Sequence, residues 1–149
     1  MRRLGLFLFL FLLPAAAAPA APARIIKVLP HYLDREGRHS LSPSLYERDA
    51  YQAFLRKTPA ERSGLRFDVQ WKGRGLQHPK LRVELRGSAE KNPTTALIET
   101  GVSVGRASSR WSAVTLRGPD YATFGELIAW RLTFWDGDQQ VAEQKSFLW

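Results

Sequence analysis

Three histidines, His31, His39 and His78, are the residues of this chain whose chemistry best suits proton transfer or metal ligation. Their spacing supports neither. No two stand four residues apart, and no H-E-x-x-H motif occurs. A metal centre would need them to converge in space with a carboxylate. The expectation is therefore three ordinary surface histidines, with no metal and no cofactor.

Nucleophiles and acid pairs fare no better. Gly101-Val102-Ser103-Val104-Gly105 has the letters of a nucleophile elbow. An elbow requires a strand-to-helix turn, whereas this stretch falls at the end of an expected strand. Asp136-Gly137-Asp138 resembles the start of a calcium loop but lacks its later ligands, and reads as turn chemistry. Glu99, Asp120 and Glu126 could gather at one end of the fold. A glycosidase-like carboxylate pair, however, needs a larger cleft than a chain this short offers. No phosphate loop or dinucleotide fingerprint is present. A small hydrolase using loop carboxylates or histidines is kept as a second alternative only.

The informative chemistry is basic. Leu65, Phe67, Val69 and Trp71 alternate with Arg66, Asp68, Gln70 and Lys72; Leu81, Val83 and Leu85 alternate with Lys80, Arg82, Glu84 and Arg86. If these two strands are neighbours, Arg66, Lys72, Lys80, Arg82 and Arg86 share a face with Asp68 and Glu84. That face would suit an anionic polymer or anionic glycan. The plainer reading is a solvated face whose charges pair across strands and discourage edge aggregation. Trp111, Trp135 and Trp149 lie at strand ends or opposite the apolar faces, where they could stack on sugars or anchor a protein partner. Trp71 and Trp130 read as core.

The elements that must position these residues begin after an address. Arg2 and Arg3 precede the apolar run Leu4–Leu13, Pro14 breaks it, and Ala21-Pro22-Ala23 supplies a small-residue cleavage site. Residues 1–23 read as a secretory signal peptide, too short in its apolar part to span a bilayer. Export to the periplasm or outside the cell is expected, and nucleic acid is not an expected partner. The whole chain carries 22 cations against 14 acids, a net charge of +8. Removing Arg2 and Arg3 leaves 20 against 14, or +6. With no cysteine in 149 residues, disulfides, thiolate zinc sites, a cysteine nucleophile and a lipid-modified cysteine anchor are excluded.

Residues 24–64 read as a strand over Arg24–Leu33 carrying Pro30, a polar turn, and one helix within Ser40–Lys57. Either Ser42 before Pro43, or Ser44 with Glu47, caps it. Its apolar face is expected at Tyr46, Ala50, Ala53 and Phe54. Residues 65–149 alternate with period two. Strands are expected at Leu65–Lys72, Lys80–Arg86, Thr95–Val104, Trp111–Leu116, Glu126–Trp135 and Gln140–Trp149, with a helical turn at Tyr121–Gly125 and a hairpin at Asp136-Gly137-Asp138.

About seven alternating strands with short connections predict a mainly β, antiparallel sandwich in one domain. The pattern over 65–149 resembles the immunoglobulin-like and fibronectin type III-like domains, without their usual cysteine pair. The resemblance implies a tyrosine corner before the penultimate strand, with Tyr121 tied back to backbone. The expected function is a non-enzymatic binding or structural role at the cell envelope or beyond it. The alternative is anionic-polymer or carbohydrate binding through the basic strand face and exposed tryptophans.

Overall fold

A computed structural model describes residues 22–104 and 109–149. The described residues are mainly β, with seven strands in two antiparallel sheets and two α-helices. Strands β1 (Ala23–Asp34), β2 (Arg62–Gly73) and β5 (Arg110–Arg117) form one sheet in the order β1-β2-β5. Strands β3 (Pro79–Ala89), β4 (Asn92–Gly101), β6 (Glu126–Asp136) and β7 (Gln139–Lys145) form the other, in the order β4-β3-β6-β7. Helix α1 (Leu45–Lys57) follows β1, and α2 (Gly118–Phe124) links β5 to β6. The signal-peptide segment lies outside the described residues, apart from Pro22 and Ala23.

The period-two pattern builds the core. Leu65, Phe67, Val69 and Trp71 of β2 are buried, as are Leu81, Val83 and Leu85 of β3. Both sheets contribute to one apolar cluster, with Trp71 against Phe134 at 4.8 Å between ring centres and Phe67 edge-on to Trp130 at 6.1 Å. Each such side chain contributes about 1.5–3 kcal/mol by leaving water. The enclosed Trp71 indole N–H donates to Ser112 Oγ at 3.0 Å, so its polar atom is not orphaned.

Four expectations need correction. The two basic strands are not neighbours: β2 and β3 belong to different sheets, because the connection between them crosses from one layer to the other. Helix α1 starts at Leu45 on the Ser44 cap, whose Oγ accepts from the Glu47 N–H. It turns Gln52 and Leu55 inward, while Tyr46 and Phe54 stay exposed. A buried glutamine wins over the apolar stripe because β1 presents backbone groups there that only a polar side chain can satisfy. Ile128, expected from the alternation to share one face of β6 with Trp130, Leu132 and Phe134, does not lie on the core face. A bulge opposite Arg86 and Gly87 shifts the alternation, leaving Ile128 half-exposed and packing Leu127 against the core. Finally β7 ends at Lys145, so Trp149 lies beyond the strand.

Pro30 sits on an edge strand, where a missing backbone donor is tolerated. The β6–β7 turn uses Gly137 at φ +58°, as the Asp-Gly-Asp signal predicts.

Candidate binding face

On β3, the residues that alternate with the core point outward: Lys80, Arg82, Glu84 and Arg86. Antiparallel pairing sets Lys80 opposite Trp135, Arg82 opposite Thr133 and Glu84 opposite Arg131 on β6. Cross-strand neighbours on one face are close enough for side chains to touch, and here the contacts are cation on aromatic. The Arg82 guanidinium lies 4.7 Å from the centre of the Trp135 ring, and Lys80 Nζ lies 6.0 Å from it. Arg86 and Arg131 both lie against Trp149, at 4.0 and 5.0 Å. The Trp135 indole N–H donates to Thr133 Oγ1 at 2.8 Å, which fixes that ring.

Carboxylates temper the charge. Glu84 accepts two 2.8 Å hydrogen bonds from Arg131 Nη2, one on each carboxylate oxygen. Glu99 of β4 accepts from Arg82 Nε at 2.5 Å, with Lys80 at 3.9 Å. The Arg82 hydrogen bond holds the Glu99 carboxyl below its ordinary range. Arg86 differs. It is exposed and makes no carboxylate ion pair among the described residues. Its guanidinium and Trp149 border an open depression whose other walls include Arg82, Glu84, Leu97 and Arg131.

The five cations expected on one face are therefore split. Lys80, Arg82 and Arg86 stand together on the four-stranded sheet, joined by Arg131, which the sequence reading left out. Arg131 alternates with Trp130 and Leu132 on β6, and that periodicity was the available signal. Arg66 and Lys72 belong to the three-stranded sheet, and Arg66 is occupied by an ion pair with Asp68 at 2.8 Å. Trp135 and Trp149 share the basic face. Trp111, about half exposed, is on β5 of the other sheet.

The histidines also depart from expectation. His31, on β1, is buried, and its Nδ1 lies 3.2 Å from Asp68 Oδ2 on β2. His39 brings its ring to 5.1 Å from that of His31. Two of the three histidines thus converge with an acid, because the turn after β1 folds back over that strand. His78 stays apart, its backbone N–H donating to Asp136 Oδ1 at the β6–β7 hairpin. Burial and the nearby Arg66 lower the His39 pKa. Burial works to raise that of Asp68, but hydrogen bonds from His31 and Arg66 bring it below its ordinary value.

Two of the acids that could have gathered, Glu99 and Glu126, are engaged separately. Glu99 is held by Arg82 and Lys80, and Glu126 by Arg62. Tyr121 stands beside Arg62 and Glu126, with no hydrogen bond from its hydroxyl to backbone among the described residues. The tie-back implied by a tyrosine corner is not made.

No protein-family model matches the chain, and the curated proteins searched contain no match.

Proposed function

We propose that the chain is an exported, immunoglobulin-like or fibronectin type III-like binding module, with no catalytic role. Its working surface is the outer face of β4-β3-β6-β7, and its ligand is an anionic glycan or similar acidic polymer. The order β1-β2-β5 facing β4-β3-β6-β7 supports the fold assignment, and the basic, apolar leader supports export.

The observation that carries the ligand class is the Arg86–Trp149–Arg131 arrangement. A flat indole offers a sugar-stacking surface, and the Arg86 guanidinium beside it offers a bidentate partner for carboxylate or sulfate, while Arg131 on the same ring is already held by Glu84. Arg86 needs to release no carboxylate to meet such a ligand.

Titration with heparin and with a neutral polysaccharide of similar length tests this. Heparin should bind with an affinity that falls as salt rises, and the neutral polymer should not bind. Arg86→Gln should weaken heparin binding about tenfold, the scale of one charge-assisted hydrogen bond. Lys72→Gln, an equal charge change on the other sheet, should leave it unaltered. Equal losses in both variants would show diffuse attraction to net charge and defeat the assignment of this face.

A further inference from the structure

The cluster on the three-stranded sheet is independent of that face. Nδ1 of His31 and Oδ2 of Asp68 are 3.2 Å apart, and one donor atom from each of His31, His39 and Asp68 falls within 4.8 Å of the others. In tetrahedral coordination with bonds of about 2.1 Å, neighbouring donors stand about 3.4 Å apart. The His31–Asp68 edge already has that length. The other two edges are no longer than 4.8 Å and must shorten for one ion to meet all three donors.

The backbone around His39 is organised to hold it there. Asp34, at the end of β1, donates its N–H to the Arg38 carbonyl and accepts the Arg38 N–H on its own carboxylate at 2.7 Å. Gly37, at φ +78°, completes this reversal, so residue 39 returns over residue 31. The buried Gln52 of α1 then fastens both partners. Its Oε1 accepts from the Tyr32 N–H at 2.8 Å, and its Nε2 donates to the Tyr32 and His39 carbonyls at 2.9 and 2.8 Å. One amide thus locks the backbone of the residue after His31 to that of His39 itself. Arg66 binds the remaining oxygen, Asp68 Oδ1, through Nε at 2.8 Å and leaves Oδ2 directed at His31. Carboxylate ligands are ordinarily oriented by such outer partners.

We propose that His31, His39 and Asp68 form a three-donor site for a zinc-class divalent transition-metal ion, with water completing the coordination. Two imidazoles and one carboxylate favour zinc, cobalt, nickel or copper over magnesium or calcium, which prefer all-oxygen sets. Arg66 and Arg48 are the cations that face the site. Their repulsion sets its affinity below that of a site with purely anionic surroundings.

Calorimetric titration of the purified protein, made without a polyhistidine tag, with zinc chloride tests the site. One ion per chain should bind, with no saturable heat from magnesium. His39→Asn keeps the backbone carbonyl that Gln52 uses, and should raise the zinc dissociation constant by at least about tenfold, since even outer partners cost 10–100-fold. His78→Asn should change nothing. Should His39→Asn fail to fold, imidazole nitrogen spectra of the unaltered protein decide the matter. Zinc should then shift the His31 and His39 resonances and leave those of His78 in place. Absence of saturable zinc uptake, unchanged affinity in folded His39→Asn, or a shift confined to His78 would each overturn the proposal.

Discussion

Arg62 and Tyr32 are stacked, the guanidinium carbon lying 4.1 Å from the centre of the phenol ring. The Arg62 side chain is almost wholly enclosed, and all its nitrogens are used. Nε donates to the Leu55 carbonyl at 2.5 Å, Nη2 to that of Arg56, and Nη1 to Glu126 at 2.5 Å. One cation therefore joins the C-terminal turn of α1 to β1 and β6. It also supplies the positive charge that a helix C-terminus favours.

Arg62→Met should cost about 2–4 kcal/mol, because it leaves helix-end carbonyls without their donor and removes the stack. Glu126→Gln should cost under about 1 kcal/mol, since that carboxylate is half exposed and can turn to water. Urea unfolding of the two variants checks the asymmetry. Equal losses would mean that the ion pair, and not the helix-end bonds, carries the stabilisation.

Asp34 gives the acid limb of stability its sign. Burial works to raise its pKa from 3.8, but hydrogen bonds from the Arg38 N–H, the Tyr51 hydroxyl and the Arg38 side chain more than offset it, and the value is lowered. A carboxyl depressed in the folded state contributes its stability fully above its unfolded pKa. That contribution is lost as pH falls through the folded value. Asp34→Asn should lower stability at neutral pH by about 1–3 kcal/mol. It should also flatten the decline measured by urea unfolding below pH 3.8. An acid limb as steep as the parent's would remove Asp34 from the account.

Gly125 closes the corner between α2 and β6 at φ +79° and ψ −140°. A Cβ there would collide with the Ser88 carbonyl oxygen and come within 2.8 Å of Ala89 Cα. Both are backbone atoms with no freedom to retreat. Gly125→Ala should cost more than about 3 kcal/mol. Gly137→Ala, at φ +58° with nothing within 4 Å, should cost about 1–2 kcal/mol. Thermal unfolding of the pair separates collision from conformational strain. Similar losses would show that the collision relaxes.

Under the export reading, β1 also bears on where the leader ends. Ala23 pairs with Gly73 and is buried, and the Pro22 carbonyl accepts from the Arg74 N–H at 3.0 Å. Cleavage after Ala23 would discard both contacts. Ala18-Pro19-Ala20 is a second small-residue site just upstream. Mass spectrometry of the secreted protein should find Ala21 at the N-terminus. A chain beginning at Arg24 would show that the first pairs of β1 are dispensable.

Strands were legible wherever one face meets the core, because β2 and β3 write their burial as alternation. Which strands become neighbours was not. The same Leu65–Trp71 and Leu81–Leu85 patterns serve equally in one sheet or in two facing sheets. The β3–β4 connection read as a longer polar stretch over Gly87–Pro93, because Glu90 and Lys91 make a tight turn at positive φ without the usual Asn-Gly signal. Helix α1 was found through its cap, yet its inward face was misread, since Gln52 is buried to serve Tyr32 and His39. For the same reason the histidine cluster was invisible: it depends on a turn and a glutamine clamp that carry no metal-ligand spacing. Trp135 and Trp149 were singled out by residue type, but the cations beside Trp135 follow from the β3–β6 register, and those beside Trp149 from how the chain turns after β7.

Under the proposed polyanion-binding reading, the pairing of Arg82 with Glu99 and of Arg131 with Glu84 has a consequence for selectivity. These arginines already hold carboxylates of the protein's own, so a ligand gains little by merely being negative. It must trade places with a glutamate, losing nearly as much as it gains at each exchange. A lone acetate or phosphate has no advantage in that trade. A long polyanion seated first on Arg86 makes every later exchange intramolecular, at a high effective concentration. Such a surface would respond to ligand length more steeply than to ligand charge.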